Sequence, residues 1–178
     1  MDRRGRTGVW PAAGALKIIG SIHDRDFPCH HPACPPRRCR CHRGNAADDP
    51  LGSGRERLED PLPPSYFAAF DTLESASHIR LVVAEQADGI VVGCLQLCIL
   101  PGLSSQGASR GMIEDVRVAS RCRSRGIGEQ LVQWAVTEAR AKGCKLVELF
   151  THNSRVDAQR FYKRLGFAPS HVGMTLRF

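Results

Sequence analysis

The stretch MIEDVRVASRCRSRGIG, residues 112–128, contains the strongest structural signals in the chain. It predicts a strand from Met112 to Ala119, a basic turn from Ser120 to Arg125 and a helix that begins at Glu129. The first turn of a helix carries unpaired N–H groups and a partial positive charge, so anions collect there. The stretch therefore predicts an anion site, and a phosphate is the best candidate for the anion.

Two glycines and two arginines surround this helix start. Gly126 and Gly128 lack the side chains that would keep a pyrophosphate away from the backbone, while Arg123 and Arg125 add positive charge. The spacing matches neither the dinucleotide fingerprint G-x-G-x-x-G nor a P-loop, because Glu129 follows Gly128. On these residues alone, an ordinary surface turn with solvated arginines is an equally good interpretation.

The flanking sequence predicts the rest of an α/β domain. Two apolar strands joined by an Asp-Gly turn form an antiparallel hairpin before the central strand. A helix connects the central strand to the next strand, so these two strands must run parallel. The predicted elements are a helix capped at Ser65 and ending near Ser75, strands Ile79 to Gln86 and Ile90 to Leu100, a loop Leu103 to Gly111, a helix closed by Lys142 and Gly143, a strand Lys145 to Thr151, a helix capped at Ser154 and ended by Gly166, and a last strand Met174 to Phe178.

Two motifs in the expected order resemble those of the GNAT superfamily of N-acetyltransferases, over roughly Asp48 to Phe178. The signature R/Q-x-x-G-x-G/A is met by Arg123, Gly126 and Gly128. The last-helix motif A-x-x-x-Y-x-x-x-G-F is met by Ala158, Tyr162, Gly166 and Phe167. The resemblance implies the GNAT acyltransferase fold, a mixed and mostly antiparallel sheet with a splayed parallel strand pair, flanked by helices.

The resemblance also implies that acetyl-coenzyme A is the co-substrate. Backbone groups of Val116, Arg117 and Val118 would hold its pantetheine arm and polarise the thioester carbonyl. The pyrophosphate would lie on the turn formed by Arg123, Ser124, Arg125, Gly126, Ile127, Gly128 and Glu129.

One position departs from the family pattern. Family members often carry Asn three residues before the motif alanine, where this chain has Arg155. Asn153 is carried over as a contact of the pantetheine arm. His152 and Arg155, which flank it, could hold an anionic acceptor instead.

The resemblance assigns the proton transfers to two residues. From its position alone, Tyr162 would be a packed aromatic residue, and Glu114 a solvated charge on a strand. Within the family pattern, Tyr162 protonates the departing thiolate as general acid, and Glu114 deprotonates the incoming ammonium directly or through water. Asp115 is expected on the opposite face of the strand by simple alternation, which makes it the weaker candidate for the base.

The resemblance therefore implies acetyl transfer to a primary amine of a small molecule, by direct attack in a ternary complex. Two alternatives stay open: a protein or peptide N-acetyltransferase, and a non-catalytic module that binds acyl-coenzyme A. A homodimer is also left open. No metal is needed for this chemistry, so Cys122 and Cys144 are interpreted as packing or surface residues.

Residues 1–45 differ in composition from the rest of the chain. They hold nine Lys and Arg against three Asp and Glu, whereas the other residues hold 16 against 15, so the net charge of +7 belongs mainly to this segment. The folded part then has no basic face for nucleic acid. The apolar run from Val9 to Ile19 is interrupted and too short to span a membrane, which favours a cytoplasmic protein.

The same segment contains four cysteines, and three of its four histidines lie beside them. Their spacing departs from the close cysteine pairs of structural zinc sites, so reduced thiols are the preferred interpretation and no metal site is predicted. These residues are Cys29, Cys34, Cys39, Cys41, His30, His31 and His42.

We therefore divide the chain into a disordered, basic, Cys/His/Pro-rich segment at residues 1–45 and an N-acetyltransferase domain at 46–178. Family members usually begin with a strand and an amphipathic helix before a turn such as Asp48 to Gly52. Residues 1–45 lack both patterns. The usual first strand and helix are expected to be missing or atypical, and out-of-frame translation of GC-rich coding sequence is one hypothesis for this composition.

Overall fold

The computed structural model of the protein describes residues 17–19, 59, 61, 63–87 and 89–178. Five strands form one mixed sheet in the order β1-β2-β3-β4-β5, antiparallel except for the parallel pair β4 and β5. The strands are β1 Lys17–Ile19, β2 Ile79–Glu85, β3 Val91–Leu100, β4 Arg110–Val118 and β5 Leu146–Leu149. The three helices named here are α1 Pro64–Ser75, α2 Ile127–Ala141 and α3 Val156–Arg164.

This architecture confirms the predicted fold class. The β2–β3 hairpin is closed by hydrogen bonds from Gln86 N to Ile90 O, 3.0 Å, and from Gly89 N to Gln86 O, 2.9 Å. Gly89 has a positive φ of 80°, as the predicted glycine turn requires. Asp88 of that turn lies outside the described residues.

The strand β1 corrects the sequence analysis at three residues. Lys17–Ile19 pair antiparallel with β2, although residues 1–45 were predicted to be disordered. A short apolar run gains hydrogen bonds at a sheet edge that its own weak alternation does not predict. The rest of residues 1–45, with the seven cysteines and histidines of the weak zinc pattern, lies outside the described residues, and the division at residue 45 stays a prediction.

The helix α2 covers one face of the sheet and forms the core with it. Its buried residues pack against the apolar residues of the strands, and two glycines allow the close approach. A Cβ added at Gly93 would lie 3.0 Å from Leu131 Cδ1, and one added at Gly111 would lie 3.0 Å from Ala139 Cβ. The buried side chains of this core include Val82, Leu95, Leu97, Ile113, Ile127, Leu131, Val132 and Ala135.

One extra residue interrupts β4. Leu95 of β3 lies opposite both Asp115 and Val116, which is a β-bulge, and Asp115 has a positive φ of 49°. The alternation of side chains changes at this point, so Glu114 before it and Arg117 after it lie on the same face of the sheet. The last pair between β4 and β5 is Ile113 with Leu149, and beyond it the two strands separate.

Several predicted boundaries move. The helix α2 begins at Ile127 rather than Glu129, because Gly126 is its N-cap. The prediction that Ser65 caps α1 is wrong: Pro63 is the N-cap and Pro64, whose fixed φ suits the first helical position, follows it. The strand predicted at Lys145 to Thr151 shortens to β5, and the predicted loop shortens because Arg110 and Gly111 belong to β4.

The last strand predicted at Met174 to Phe178 is wrong. Residues 172–178 form no regular structure, although their apolar residues alternate. Alternation favours an extended backbone, but a strand also needs a hydrogen-bonded neighbour, and none pairs with this segment within the described part of the chain. Separately, none of the described helices is long and apolar enough to cross a membrane.

Candidate functional site

A cleft of about 390 Å³ opens where β4 separates from β5. It is bounded by the second half of β4 on one side and by the start of α3 on the other. The lining residues are Val116, Arg117, Val118, Arg123, Ser154, Arg155, Val156, Asp157 and Ala158. The structure therefore brings together the predicted pantetheine residues and the first arginine of the predicted pyrophosphate turn.

The basic turn is held against the end of β4. Arg123 donates a hydrogen bond from Nε to the carbonyl of Val118, 3.2 Å away. Ser124 and Gly126 both have positive φ, 59° and 77°, so the chain turns sharply before α2. Arg123 and Arg125 are exposed beside this turn, which makes the local potential positive.

The N-terminus of α2 offers backbone donors to an anion. Gln130 N is the first amide of the helix to bond backwards, to Gly126 O at 3.0 Å, so the N–H groups of Ile127, Gly128 and Glu129 precede the helical ladder. No side chain caps them through a hydrogen bond. Because the Ile127 side chain is buried in the core, its contribution to an anion site can come only from its backbone.

Gly128 lies near α3 and β4. A Cβ at this position would lie 3.5 Å from Phe161 Cζ and 3.7 Å from Val118 Cγ2. These are ordinary van der Waals distances, so packing alone does not require a glycine here. At Gly126 an added Cβ would lie 4.0 Å from Gln130 Nε2, and the positive φ is what favours glycine.

Tyr162 lies on α3 between two aromatic neighbours. Its ring makes edge contacts with Phe161, 5.0 Å between centroids, and with Phe167, 6.0 Å. Burial raises the pKa of the Tyr162 hydroxyl, while the positive charges of Arg117 and Arg155 oppose that shift. The raised pKa keeps the hydroxyl protonated at neutral pH. Because both arginines line the cleft, the hydroxyl also lies in the electrostatic field of the cleft.

Glu114 is exposed on the face of the sheet opposite α2. Its Oε2 accepts hydrogen bonds from Gln96 Nε2, 3.1 Å, and from Cys98 Sγ, 3.7 Å. Asp115 does not simply point the other way, as alternation predicted, because it is the bulge residue and pairs with Arg117 at 3.6 Å. The sequence analysis missed Gln96, although a single glutamine within an apolar strand was a usable signal.

The loop between β5 and α3 corrects two predictions. Ser154 was predicted to cap α3, but the N-cap is Arg155, and Ser154 Oγ instead lies 2.8 Å from His152 Nδ1. Asn153 is not among the cleft-lining residues; its carbonyl accepts a hydrogen bond from Gln159 Nε2, 2.9 Å. Its contact with pantetheine stays a prediction, and Arg155 occupies the cleft wall.

Metal ligands are absent from the described site. No three His, Cys, Asp or Glu side chains lie together as a metal ion would need within residues 63–87 and 89–178. The described cysteines are free thiols; Cys122 is buried in the core and Cys144 is half-buried, and burial raises the pKa of the Cys144 thiol.

Comparisons with known proteins agree with this geometry. A family model described as the acetyltransferase (GNAT) family matches residues 25–167. The aminoalkylphosphonate N-acetyltransferase of Salmonella typhimurium is 38% identical over 109 residues, which are 61% of this chain and 68% of that protein. The glucosamine 6-phosphate N-acetyltransferase 1 of Oryza sativa subsp. japonica is 31% identical over 124 residues, 66% of this chain and 73% of that protein.

A solved structure described as a transcriptional regulator from Bacillus halodurans C-125 superposes with a TM-score of 0.81 at 38% identity. The superposition covers 92% of this chain and 100% of that chain.

Proposed function

The chain belongs to the acetyltransferase (GNAT) family, and we propose that it transfers an acetyl group from acetyl-coenzyme A to a primary amine of a small molecule. The observation that carries this proposal is the cleft between β4 and α3, whose lining includes Arg123 of the turn before α2. Val116 to Val118 would hold the pantetheine arm along the cleft. The free N–H groups at residues 127–129, with Arg123 and Arg125, would hold the pyrophosphate.

Two side chains carry the proton transfers in this proposal. Glu114 takes a proton from the ammonium, which frees the nitrogen lone pair to attack the thioester carbonyl. Tyr162 gives its proton to the sulfur as the carbon–sulfur bond breaks. Its raised pKa supports this role, because the donor must be protonated when the thiolate leaves.

The acceptor that we propose is an amine that also carries a phosphate or phosphonate. The names of both curated relatives combine an amine with such a group. Arg155 on the cleft wall is the cation that we assign to this anion. The anion would then lie on the same side of the cleft as Tyr162.

The experiment is an amine panel with acetyl-coenzyme A, read as release of free thiol. Glucosamine 6-phosphate is compared with glucosamine, and an aminoalkylphosphonate with the matching alkylamine. We expect turnover, and a higher kcat/KM for the phosphorylated member of each pair. Coenzyme binding without turnover of any amine would favour the non-catalytic acyl-coenzyme A module, and turnover of peptide amines alone would favour the peptide N-acetyltransferase.

We also propose a homodimer. Four apolar residues near the C-terminus are each at least 79% exposed: Val172, Met174, Leu176 and Phe178. Exposed apolar residues that lie this close together are typically covered by a partner.

A cytoplasmic location, and the lack of nucleic-acid and membrane partners, stay predictions from the composition of the chain.

A further inference from the structure

Three polar side chains meet on the exposed face of the β3–β4 pair. Gln96 of β3 lies directly opposite Glu114 of β4, and Cys98, two residues further along β3, shares its face. Gln96 is half-buried, and Cys98 is only 7% exposed. Polar groups at such positions within an apolar strand need hydrogen-bond partners, and here they find each other.

We infer that Gln96 and Cys98 are positioning residues, which hold one oxygen of Glu114 so that the other faces the incoming amine. The inference rests on the proposed function, because it takes Glu114 as the base. Nothing in the family signatures or in the names of the relatives assigns a role to either residue.

The hydrogen-bond geometry defines which oxygen is held. Gln96 Nε2 donates to Glu114 Oε2 over 3.1 Å, and Cys98 Sγ donates to the same oxygen over 3.7 Å. The amide nitrogen of Gln96 must face the carboxylate, because an ionised carboxylate can only accept hydrogen bonds. Within the described residues, both of these donors reach Oε2, which leaves Oε1 to accept the proton.

The two donors also support each other. The second hydrogen of Gln96 Nε2 reaches Cys98 Sγ at 3.3 Å, so the amide bridges the thiol and the carboxylate. Burial raises the pKa of the Cys98 thiol; the Gln96 hydrogen bond lowers it, while the charge of Glu114 and its hydrogen bond raise it. The thiol therefore keeps its proton at neutral pH and remains a donor to Glu114.

Other charged groups near this face pair with one another. Arg110 of β4 donates from Nε to Glu148 of β5 over 2.7 Å, on the same face four residues before Glu114. Arg117, beyond the bulge, pairs with Asp115 at 3.6 Å. On the β2 side, the titratable groups of α1 and of the segment before β2 are Tyr66, which is half-buried, and Asp71, Glu74 and His78, which are exposed to solvent.

The held oxygen has one expected effect on the reaction. The fixed side chain keeps Oε1 in one orientation while the proton moves from the ammonium nitrogen to it. Loss of either donor should therefore lower kcat, while the KM for the amine should change little.

The test uses the full chain and an amine that the wild-type protein accepts. Gln96→Met keeps the length of the side chain but removes both amide hydrogens. Cys98→Ala removes the thiol donor, whereas Cys98→Ser retains an O–H donor. Cys144→Ala is the matched control, because Cys144 is also a thiol shielded from solvent and packs against the core, where no role in the reaction is assigned to it.

The readout is kcat measured separately from the KM for the amine. We expect kcat to fall by about tenfold in Gln96→Met and by roughly threefold in Cys98→Ala, with KM nearly unchanged, because a misplaced base slows the proton transfer. Cys98→Ser should restore the wild-type kcat, and Cys144→Ala should not lower it. The Kd for coenzyme A should be unchanged in all four variants.

The outcomes separate this inference from the proposed function. Lack of turnover by the wild-type protein would overturn both. If Glu114→Gln lowers kcat but Gln96→Met and Cys98→Ala leave it unchanged, the positioning role is wrong and the acetyltransferase proposal stands. Equal losses of kcat in Cys98→Ser and Cys98→Ala would also overturn the positioning role of Cys98, since they would reflect packing alone.

Discussion

Tyr162 combines an observed packing role with the proposed role of general acid. Its ring is fixed by Phe161 and Phe167, while its hydroxyl lies in the field of two arginines. The aromatic contacts explain why the position looks structural in the sequence. The arginines come from β4 and from the start of α3, so the charged environment is visible only in the fold.

Tyr162→Phe should keep both aromatic contacts and remove the proton donor. We expect kcat to fall by roughly 10² to 10⁴, the range for general-acid catalysis, with little change in the Kd for coenzyme A. Steady-state kinetics and calorimetry on the purified variant measure the two quantities. An unchanged kcat would return Tyr162 to a packing role and assign the proton to water.

The pKa of Tyr162 also predicts the alkaline behaviour of the enzyme. Burial raises this pKa above its ordinary value of 10.0, so the folded protein keeps the proton at a pH where the unfolded chain loses it. The stability that this hydroxyl contributes is therefore present below about pH 10 and is lost as the pH rises through the folded pKa. The alkaline limb of kcat should lie above pH 10 in the wild-type protein, and an earlier decline would contradict the assignment.

Of the single residues, the sequence could identify those whose role depends on local geometry. Gly126 was predicted because a turn before a helix favours a glycine there, and Tyr162 because its motif has a fixed spacing. Gln96 and the effect of the Arg117 side chain on Tyr162 depend on neighbours in other strands and helices. Pattern reasoning on one stretch of chain contains no information about those neighbours.

The helix α2 packs against the core and begins at the proposed anion site. One arginine lies near each of its ends, which gives a matched pair of positions. Arg125 lies before the N-terminus, where free N–H groups are available, and Arg140 lies in the last turn. Both are exposed. A loss of coenzyme affinity that is specific to phosphate binding should therefore appear when Arg125 is replaced and not when Arg140 is replaced.

We predict that Arg125→Met weakens coenzyme A binding by about tenfold, roughly 1.4 kcal/mol, while Arg140→Met leaves it unchanged. The loss should shrink at high salt, because the lost interaction is electrostatic. Isothermal titration calorimetry at two ionic strengths measures both effects. Equal affinities for the two variants would place the pyrophosphate elsewhere.

The contact between the sheet and α2 is the second element whose geometry can be tested. A Cβ at Gly93 would come within 3.0 Å of Leu131 Cδ1 and 3.1 Å of the Arg117 carbonyl. Gly93→Ala should therefore destabilise the fold by about 1 to 3 kcal/mol through overpacking. Gly102→Ala is the control, since its added atom would meet Ala108 O at an ordinary 3.5 Å.

Thermal unfolding of the two variants measures the difference. We expect the Tm of Gly93→Ala to fall by roughly 2 to 12 °C, at about 2 to 4 °C per kcal/mol for a chain of this size. Gly102→Ala should stay within about 1 °C of the wild type. A similar Tm for both variants would mean that α2 does not lie as close to β3 as described.

The helices and the strands β2 to β5 were predictable because their apolar periodicity is strong. Two other features of the fold were not predictable. The bulge at Asp115 breaks an alternation that the sequence itself continues, and only the pairing with β3 reveals it. The C-terminal residues show the opposite case, in which alternation is present but no strand forms.

Across the whole molecule, the proposed base and the cleft assigned to the coenzyme share the strand β4. Glu114, Gln96 and Cys98 lie on the face of the sheet opposite α2, and Arg117, which lines the cleft, lies on that same face beyond the bulge. The surface assigned to the amine therefore adjoins the cleft near the point where β4 leaves β5.

The exposed C-terminal segment predicts the oligomeric state. The full chain should be a dimer, and replacing Met174, Leu176 and Phe178 by serine should yield a monomer of unchanged helix content. Arg177→Gln, in the same segment, should remain dimeric. Light scattering coupled to gel filtration distinguishes these cases, and a monomeric wild-type protein would contradict the proposal.

The bulge in β4 has a consequence for how this protein can diversify. Residues before Asp115 contribute to the surface assigned to the amine, and those after it line the cleft assigned to the coenzyme. One extra residue therefore divides a single strand into two segments that can accumulate substitutions separately. Changes at Met112, which lies on the same face as Glu114, can alter the choice of amine without weakening the binding of the coenzyme, so new acceptors can be acquired while the co-substrate is kept.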